Sequence, residues 1–325
     1  MKTLVTGGTG FVGSHLVRVL LAAGHSVRVL HRTSSRLTAL EGLAYESIIG
    51  DITDLAALRM ATDGIDWVFH VAAVADYWRS DVDFMMKVNV EGTRNVLQAA
   101  RENNVQRIVF TSSAAAIGLN KDIPSDENVP FNLPVKHFPY GYSKVLAEQI
   151  VAEAVASGQD IVTVNPVVVI GPGDLNVISG TFILQTKRFG ILTPITSGGI
   201  AVIDVRDVAA AHLAAAEKGK TGERYILNTA NYRYREWFDM IASAVGSAKP
   251  RIMTPDFILP AAAGGIDVLR KIGINTPIDA NQVRLGDKLV FFDAGKMYQE
   301  LWQPEISMQQ SLIDTYQWYR ENGYC

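Results

Sequence analysis

The sequence predicts an α/β fold with a doubly wound parallel sheet and a smaller C-terminal lobe. Three observations support this prediction. Short β-branched runs alternate with helical patterns through the first half of the chain, a glycine-rich turn joins the first strand to the first helix, and the alternation loosens after Gly171. Strict alternation of strands and helices is typical of parallel sheets, because each crossover returns the chain to the same sheet edge.

The predicted elements follow one another in a regular order. Strands are expected at 2–6, 26–30, 44–49, 66–71, 107–111 and 160–170. Helices are expected between them at 11–23, 54–61, 81–103 and 140–156, and later at 208–217, 234–245 and 307–320. Asp54 is a candidate helix cap, and Gly24 and Gly158 each end a helix. We expect a nucleotide-binding domain over 1–172, with later returns near 200–230, and a mainly substrate-binding lobe over 173–325.

Composition excludes several classes of function. The chain has 325 residues with 48% hydrophobic and 19% charged residues, and its net charge of −3 gives no argument for nucleic acid as a partner. A single cysteine, Cys325, forms no internal disulfide and no Cys-based metal site, and the six histidines show no metal-ligand spacing. We therefore expect no metal site. No charged-then-apolar leader precedes the first strand, so we expect a cytoplasmic protein.

The stretch 257–274 is the longest apolar segment outside the core pattern. It contains Asp267, Arg270 and Lys271, whereas a membrane span needs about 20 mostly uncharged residues. We therefore expect no membrane span but an amphipathic helix with its apolar face on the protein. A role at a membrane surface is the less favoured alternative.

The turn after the first strand has glycines at positions suited to a dinucleotide. Gly7 permits a tight turn, Gly10 lets the backbone approach a pyrophosphate, and Gly13 lets the helix pack close to the strand. The helix beginning with Phe11 and Val12 then offers free N–H groups and a positive dipole end to phosphate. The spacing G-x-x-G-x-x-G differs from the commoner G-x-G-x-x-G, but its place between strand and helix predicts a Rossmann dinucleotide site.

The end of the second strand bears on the choice of cofactor. Rossmann sites that bind NAD usually place a carboxylate there for the ribose 2′-hydroxyl, whereas this chain has Leu30, His31 and Arg32. Arg32 and Arg36, with His31 as a further candidate, could hold a 2′-phosphate, which favours NADP over NAD. The alternative is that Arg32 stacks on the adenine and Arg36 is a solvated surface charge.

A tyrosine and a lysine at i, i+4 spacing form the candidate catalytic pair. Tyr140 and Lys144 share one helical face, and a nearby cation is expected to lower the tyrosine pKa toward neutrality. Tyr142 lies off that face. Ser112 and Ser113 close the fifth strand, where a hydroxyl could bind a substrate oxygen, although serines can also satisfy a buried strand end. A phenol of lowered pKa would serve as a general acid/base.

The chain resembles an extended short-chain dehydrogenase/reductase of the NAD-dependent epimerase/dehydratase superfamily over nearly its whole length. The motifs that carry the resemblance are the glycine turn, Gly50-Asp51-Ile52, Phe69-His70-Val71-Ala72-Ala73, Asn89-Val90-Glu91-Gly92-Thr93, Thr111-Ser112-Ser113, the Tyr140/Lys144 pair and Asn165-Pro166 through Gly171-Pro172-Gly173. Small-molecule substrates and a homodimer through helices 81–103 and 140–156 are what the resemblance implies.

The resemblance also implies a role for each matching residue. Ser113 would polarise the substrate, Tyr140 would be the acid/base and Lys144 would bind the nicotinamide ribose. The remaining positions implied to contact or support the cofactor site are Asp51 and Ile52 at the adenine, Ala72 and Ala73 at the ribose and phosphates, Asn89 as a support, Ser112 beside the cofactor, and Pro166 and Val169 at the nicotinamide.

Departures from the family pattern indicate the branch. Sugar-nucleotide dehydratases carry an Asp-Glu pair where this chain has Ala114 and Ala115, and the stretch 197–201 lacks the arginine with which epimerases meet a diphosphate. The stretches 165–172 and 203–209 are similar to the dihydroflavonol-reductase-like branch. We expect an oxidoreductase that interconverts a carbonyl and a secondary alcohol. The alternatives are a nucleotide-sugar epimerase and a non-catalytic cofactor-sensing protein. His70, Asp204 and Asp207 are interpreted as structural.

Overall fold

The computed structural model of the protein describes residues 1–75, 80–274, 276 and 279–325. The strands are β1 Lys2–Thr6, β2 Ser26–His31, β3 Glu46–Ile49, β4 Trp67–His70, β5 Arg107–Thr111, β6 Ile161–Pro166, β7 Val168–Ile170, β8 Pro194–Ile195, β9 Gly199–Asp204, β10 Arg224–Leu227, β11 Ala230–Arg233, β12 Ile252–Met253 and β13 Leu289–Val290. The α-helices are α1 Phe11–Ala22, α2 Leu55–Thr62, α3 Val82–Met86, α4 Gly92–Glu102, α5 Pro139–Ala156, α6 Thr181–Phe189, α7 Val205–Lys218, α8 Tyr234–Val245, α9 Leu259–Lys271, α10 Ala280–Arg284, α11 Gly295–Glu300 and α12 Met308–Glu321.

The central sheet has seven strands in the order β10-β6-β5-β4-β1-β2-β3, and every pair in it is parallel. The strand order reverses between β1 and β4, so the loops after these two strands diverge and leave a crevice at their carboxyl ends. The doubly wound parallel sheet predicted from the sequence is confirmed.

Both faces of the central sheet are buried. Within β1, Leu4 packs in the cluster that includes Leu97 and Ile150 of α4 and α5, and the next residue, Val5, packs in the cluster that includes Leu16 of α1. Successive side chains of a strand point to opposite faces, so a strand covered by helices on both sides needs a continuous apolar run.

The predicted strand 160–170 is wrong in one respect, because the structure divides it between two sheets. β6 pairs with β5 and β10 in the central sheet, whereas β7 pairs with β9 in a second sheet that also contains β11 and β13. Pro166 ends β6, and proline has no N–H with which to continue a ladder. The chain passes here from the central sheet into the C-terminal lobe.

The predicted helix 81–103 is present but contains a change of winding. Asp81 caps α3, a π-helical turn spans Lys87–Glu91, and α4 continues to Glu102. Asn89 lies in the π turn. Such turns inside α-helices are frequent at functional sites.

The helix α9 faces the opposite way from the sequence prediction. Leu259 and Ala263 are buried, but Val268 and Ile272 are exposed, so most of the apolar stripe points to solvent. The reason lies in the polar face, where Arg270 pairs with Asp279 at 2.7 Å and Asp267 pairs with Arg284, both against the α10 segment. Within the described ranges, none of the helices combines the length and the apolar character that crossing a membrane requires.

Candidate active site

The turn between β1 and α1 has the shape of a phosphate cradle. Gly7 has φ +73°, and a Cβ there would lie 2.7 Å from the Ala72 backbone, so this position needs glycine. A Cβ on Gly13 would lie 2.1 Å from the Gly7 carbonyl oxygen. Gly10 is exposed and precedes α1 without any side-chain cap. The N–H groups of Phe11, Val12 and Gly13 therefore remain available to an anion, which fits a dinucleotide pyrophosphate.

The residues expected at the adenine end lie beside the carboxyl end of β2. Oδ1 of Asp51 accepts hydrogen bonds from the Thr53 N–H and hydroxyl, both at 2.8 Å, which holds this loop in place. Ile52 is buried, and a Cβ on Gly92 would lie 2.6 Å from its Cδ1. This packing fixes the loop against α4 and leaves Oδ2 of Asp51 for a ligand.

The two arginines after β2 are exposed, whereas the histidine is not. His31 is buried, with Nε2 2.7 Å from the Ser47 hydroxyl and Nδ1 3.0 Å from the Arg32 carbonyl oxygen, so it has no nitrogen left for a phosphate. Arg32 and Arg36 extend into solvent, and their guanidinium groups have no partner in the part of the chain that the structure describes. The sequence missed Ser35, whose hydroxyl accepts the Arg32 N–H at 3.1 Å and closes the turn.

A buried chain of hydrogen bonds connects the glycine turn with the middle of the long helix. The Thr93 hydroxyl donates to the Asn89 carbonyl at 2.7 Å, so it accepts from Nε2 of His70 at 3.0 Å. Nδ1 of His70 then accepts from the Thr6 hydroxyl at 2.8 Å, which in turn accepts the Ala72 N–H at 3.3 Å. Burial, aided by the charge of Lys144, lowers the pKa of His70 to about 3, so the ring is neutral at neutral pH. The prediction that His70 is structural is confirmed.

The structure brings Ser113 and Tyr140 together. Ser113 follows β5, and Tyr140 lies in the first turn of α5. Their side chains share a hydrogen bond, and the Ala115 N–H donates to Oγ of Ser113 at 3.1 Å. A serine oxygen and a phenol oxygen that meet this way can grip one substrate oxygen between them.

The pKa of Tyr140 is not lowered as the sequence argument expects. Burial raises it above 10, and the hydrogen bond from Ser113 offsets part of that effect. A phenolate in this position would lose hydration that the protein does not replace. In this structure, Tyr140 is therefore a protonated phenol at neutral pH.

Lys144 is buried one turn after Tyr140. Nζ donates to the Thr111 carbonyl oxygen at 2.9 Å and lies 5.3 Å from the centre of the Phe110 ring. Burial lowers the pKa of Lys144 to about 8, against the opposing charge of Glu148. The predicted i, i+4 relation of Tyr140 and Lys144 on one helix is confirmed. Tyr142 instead contacts Phe131, with ring centroids 6.3 Å apart.

Glu148, whose side chain is 11% exposed, is a hydrogen-bonding hub that was not predicted from the sequence. Oε1 accepts from the Ser112 hydroxyl and from Nδ2 of Asn165 at 2.7 Å, and Oε2 accepts from Arg224 at 2.6 Å. Asn165 also donates to the Ser113 carbonyl oxygen at 3.0 Å. The signal for this hub is its spacing of four residues after Lys144, which continues the same helical face. The Ser112 side chain is thus directed to α5, and any contact it makes with a cofactor would involve its backbone.

Asn89 supports the start of α5, as the resemblance implies. Oδ1 accepts the Val74 N–H at 2.8 Å, and Nδ2 donates to the Ser143 hydroxyl at 3.0 Å. Ser143 in turn donates to the Tyr140 carbonyl oxygen at 2.7 Å. This network joins the loop after β4, which carries Ala72 and Ala73, to the helix that carries Tyr140.

The positions expected at the nicotinamide lie where the chain leaves the central sheet. Pro166 is buried at the end of β6, opposite Leu227. Val169 lies in β7, and its carbonyl oxygen accepts the Ser179 hydroxyl. His15 of α1 reaches across to the Pro172 carbonyl oxygen at 2.9 Å, which ties the glycine turn to this segment.

Asp204 and Asp207 are structural, as predicted. Asp204 caps α7 by accepting the Arg206 N–H at 2.7 Å. Asp207 accepts the backbone N–H groups of Glu305 and Ile306 at 2.9 and 3.1 Å. Within the described ranges, no group of three or more His, Cys, Asp or Glu residues could hold a metal ion.

Three cations lie near the substrate regions in sequence, Lys187, Arg188 and Arg284, and two of them are already engaged, whereas Arg188 is exposed beside the Phe189 ring. Nζ of Lys187 donates to the Val245 carbonyl oxygen at 2.9 Å and lies 5.6 Å from the Tyr316 ring centre. Arg284 pairs with Asp267 and donates to Asn281 at 2.7 Å. Neither side chain is free to meet a diphosphate without breaking these contacts.

Comparison with known proteins gives the family. The model of the NAD dependent epimerase/dehydratase family matches residues 3–228. The chain belongs to this family. Its extended short-chain dehydrogenase/reductase character, expected from the motifs, is thereby confirmed.

Similar proteins include reductases and epimerases. A Synechocystis protein provisionally named dihydroflavonol 4-reductase is 38% identical over 98% of this chain and 95% of its own length. Sterol demethylase protein B of Methylococcus capsulatus is 32% identical over 99% of both chains. The structure of PA4631, described as a nucleoside-diphosphate-sugar epimerase from Pseudomonas aeruginosa, superposes with a TM-score of 0.81 at 26% identity over 100% of this chain and 99% of its own.

Proposed function

We propose that the protein is an NADP-dependent reductase that interconverts an apolar carbonyl compound and the corresponding secondary alcohol. The observation that carries the proposal is the hydrogen-bonded pair of Ser113 and Tyr140 beside the buried Lys144. Two oxygen donors at one point, with a lysine one helical turn further along α5, match the needs of a carbonyl oxygen that gains negative charge.

The residues of the site divide the work of the reaction. Ser113 and Tyr140 bind the carbonyl oxygen, and the phenol proton of Tyr140 passes to it as charge develops. Lys144 stabilises the resulting phenolate from one turn away. When bound, the nicotinamide supplies the hydride to the carbonyl carbon. Ser113, Ala72 and the glycine turn position the two reactants, and this orientation supplies much of the rate.

The cofactor is proposed to be NADP because the end of β2 presents cations and no carboxylate. Arg32 and Arg36 flank a turn closed by Ser35, and both guanidinium groups face solvent. Bidentate contacts between arginine and phosphate are strong and directional. A ribose 2′-phosphate placed at this turn would meet both arginines.

The substrate is proposed to be neutral and largely apolar. A nucleotide diphosphate would need cations in the lobe, but Lys187 and Arg284 are engaged and the segment 197–201 carries none. Arg188 is exposed, with its guanidinium carbon 5.4 Å from the centre of the Phe189 ring, and is the remaining candidate near this region. Burying a diphosphate without such partners is costly. The names of two similar proteins, a dihydroflavonol reductase and a sterol demethylase protein, refer to uncharged ring systems and point the same way.

A paired screen tests the proposal. One arm follows cofactor absorbance with aromatic and alicyclic ketones, aldehydes and alcohols, and the other follows UDP- and dTDP-sugars by thermal shift and by scrambling of stereochemistry. We expect net oxidation or reduction in the first arm and no epimerisation in the second. Epimerisation of a nucleotide sugar without turnover of any apolar compound would overturn the proposal and favour the epimerase alternative.

A further inference from the structure

The C-terminal lobe carries an exposed apolar surface that the active site does not use. Its main side chains, called here the outer patch, are Leu192, Met253, Phe257, Val268, Leu269 and Ile272. Phe257 is 83% exposed, Ile272 67%, Leu192 64% and Val268 60%. Single exposed apolar residues are ordinary, but several exposed large apolar side chains on one helix face and on the segment that leads into it indicate an interaction surface.

Backbone pairing joins two of the segments that carry the outer patch. β12 pairs with β8, so that Ile252 lies opposite Pro194 and Met253 opposite Ile195. The Arg251 N–H donates to the Ile191 carbonyl oxygen at 3.3 Å, which places the 191–192 turn at the start of β12. The chain then runs through Phe257 directly into α9.

The exposed side of α9 is apolar. Positions 258, 261, 262, 265, 268, 269 and 272 follow helical spacing, are Ile, Ala, Ala, Gly, Val, Leu and Ile, and are all exposed. The side toward the protein carries the buried Leu259 and Ala263. It also carries Asp267 and Arg270, whose partners Arg284 and Asp279 belong to the α10 segment. A helix on a soluble surface normally turns its apolar stripe inward. Here the ion pairs hold that stripe outward.

The charge around the outer patch is opposite to that of the whole chain. Segments 187–196 and 249–274 contain six Lys or Arg residues and two Asp residues, a net charge of +4, whereas the chain has a net charge of −3. Outside these segments, Asp239 of α8 faces Lys249 at 4.0 Å and Arg251 at 3.7 Å. Asp279 faces Arg270 and Arg284 faces Asp267, and their opposite charges cancel, so the net charge with all these partners is +3. Arg188 and Lys271 are exposed at the two ends.

We propose that the outer patch binds the surface of an anionic lipid bilayer, with α9 lying in the plane of the interface. An exposed apolar helix face with Lys and Arg at its edges is the pattern of interfacial helices, and the cations attract acidic headgroups. A second copy of the chain fits less well, because a two-fold contact would bring two patches of the same positive charge together. This association is independent of the reaction proposed above.

Vesicle flotation tests the proposal with the full chain. Vesicles of phosphatidylcholine alone are compared with vesicles that contain about 30 mol% phosphatidylglycerol. We expect the wild-type protein to float with the anionic vesicles, to float much less with the neutral ones, and to be released when NaCl rises from about 0.05 M to about 0.5 M. The double variant Val268→Asp/Ile272→Asp should lose roughly tenfold or more of its binding.

Three further variants make the result specific. Met60→Asp is the matched control, because Met60 is 62% exposed on α2 in the other part of the fold and should not affect flotation. Phe257→Ser lies outside the helix body and should weaken binding even if the double variant unfolds. Arg188→Gln/Lys271→Gln should reduce the preference for anionic lipid. Thermal unfolding and nicotinamide-dinucleotide binding report that each variant is folded.

Two outcomes would overturn the proposal. One is that the wild-type protein stays in solution with both kinds of vesicle. The other is that the Val268→Asp/Ile272→Asp variant, in its folded form, floats with anionic vesicles as well as the wild-type protein does. If, in the absence of vesicle binding, light scattering shows an oligomer that the double variant dissociates, the outer patch is a contact between copies of the chain.

Discussion

Replacing Lys144 with methionine should make the protein more stable and inactive. Methionine has a similar length and leaves the apolar stem in place, but it removes a buried amine. Lys144 is 2% exposed, and burial lowers its pKa from 10.5 to about 8. A pKa unit corresponds to about 1.4 kcal/mol, so keeping this amine protonated at neutral pH costs the folded state about 3 kcal/mol.

The loss of one hydrogen bond works in the opposite direction. Lys144→Met leaves the Thr111 carbonyl oxygen without its 2.9 Å donor, which costs about 1 kcal/mol. The variant should therefore be about 2 kcal/mol more stable than the wild type near neutral pH. Above about pH 10.5 neither state of the wild type carries the charge, and the variant should be about 1 kcal/mol less stable.

The pH dependence is the decisive measurement. Between about pH 8 and about pH 10.5 the unfolded wild-type chain binds a proton at residue 144 that the folded chain does not bind. The free energy of unfolding of the wild type therefore rises relative to that of the variant as pH rises. Urea unfolding of both proteins without cofactor, followed by tryptophan fluorescence, gives the difference at each pH. Lys218→Met, at an exposed position of α7, is the control and should show no such trend. A difference between wild type and Lys144→Met that stays constant over this range would refute the argument.

Two further predictions concern catalysis and the cofactor. Tyr140→Phe should retain dinucleotide binding and lose about 10²–10⁴-fold in turnover, because it removes the proton donor. Tyr142→Phe, whose ring contacts Phe131 instead, should be mild, and the reverse ranking in steady-state kinetics would contradict the assignment. Arg32→Asp should weaken the binding of NADPH far more than that of NADH in fluorescence titrations, because it replaces a cation with a negative charge that repels the 2′-phosphate. Equal affinity of the wild-type protein for the two cofactors would instead make Arg32 an adenine-stacking residue.

Local pattern accounts for the parts of the fold that the sequence predicted. β1 and β5 have the predicted bounds because a strand buried on both faces requires an unbroken apolar run. The relation of Tyr140 to Lys144 follows from helical spacing alone. Both inferences need only residues close in sequence.

Most of the failed predictions depend on contacts between separate elements of the fold. The amphipathic pattern of α9 does not reveal which face meets the protein, because the ion pairs of Asp267 and Arg270 with the α10 segment decide it. Similarly, the raised pKa of Tyr140 comes from burial, which a spacing of four residues cannot report. Glu148 of α5 contacts residues in or after three strands, β5, β6 and β10, which are far apart in sequence. These partners cannot be identified without the order of the strands in the sheet.

The protonation state of the site favours one direction of the proposed reaction. Reduction of a carbonyl needs a proton donor, and burial keeps Tyr140 protonated. Oxidation of the alcohol needs the phenolate, which Lys144 would stabilise in the proposed reaction. Because the pKa of Lys144 is lowered to about 8, raising the pH to form phenolate also removes the cation that would stabilise it. Both pKa shifts therefore act against a phenolate at Tyr140, which agrees with carbonyl reduction as the proposed direction at neutral pH.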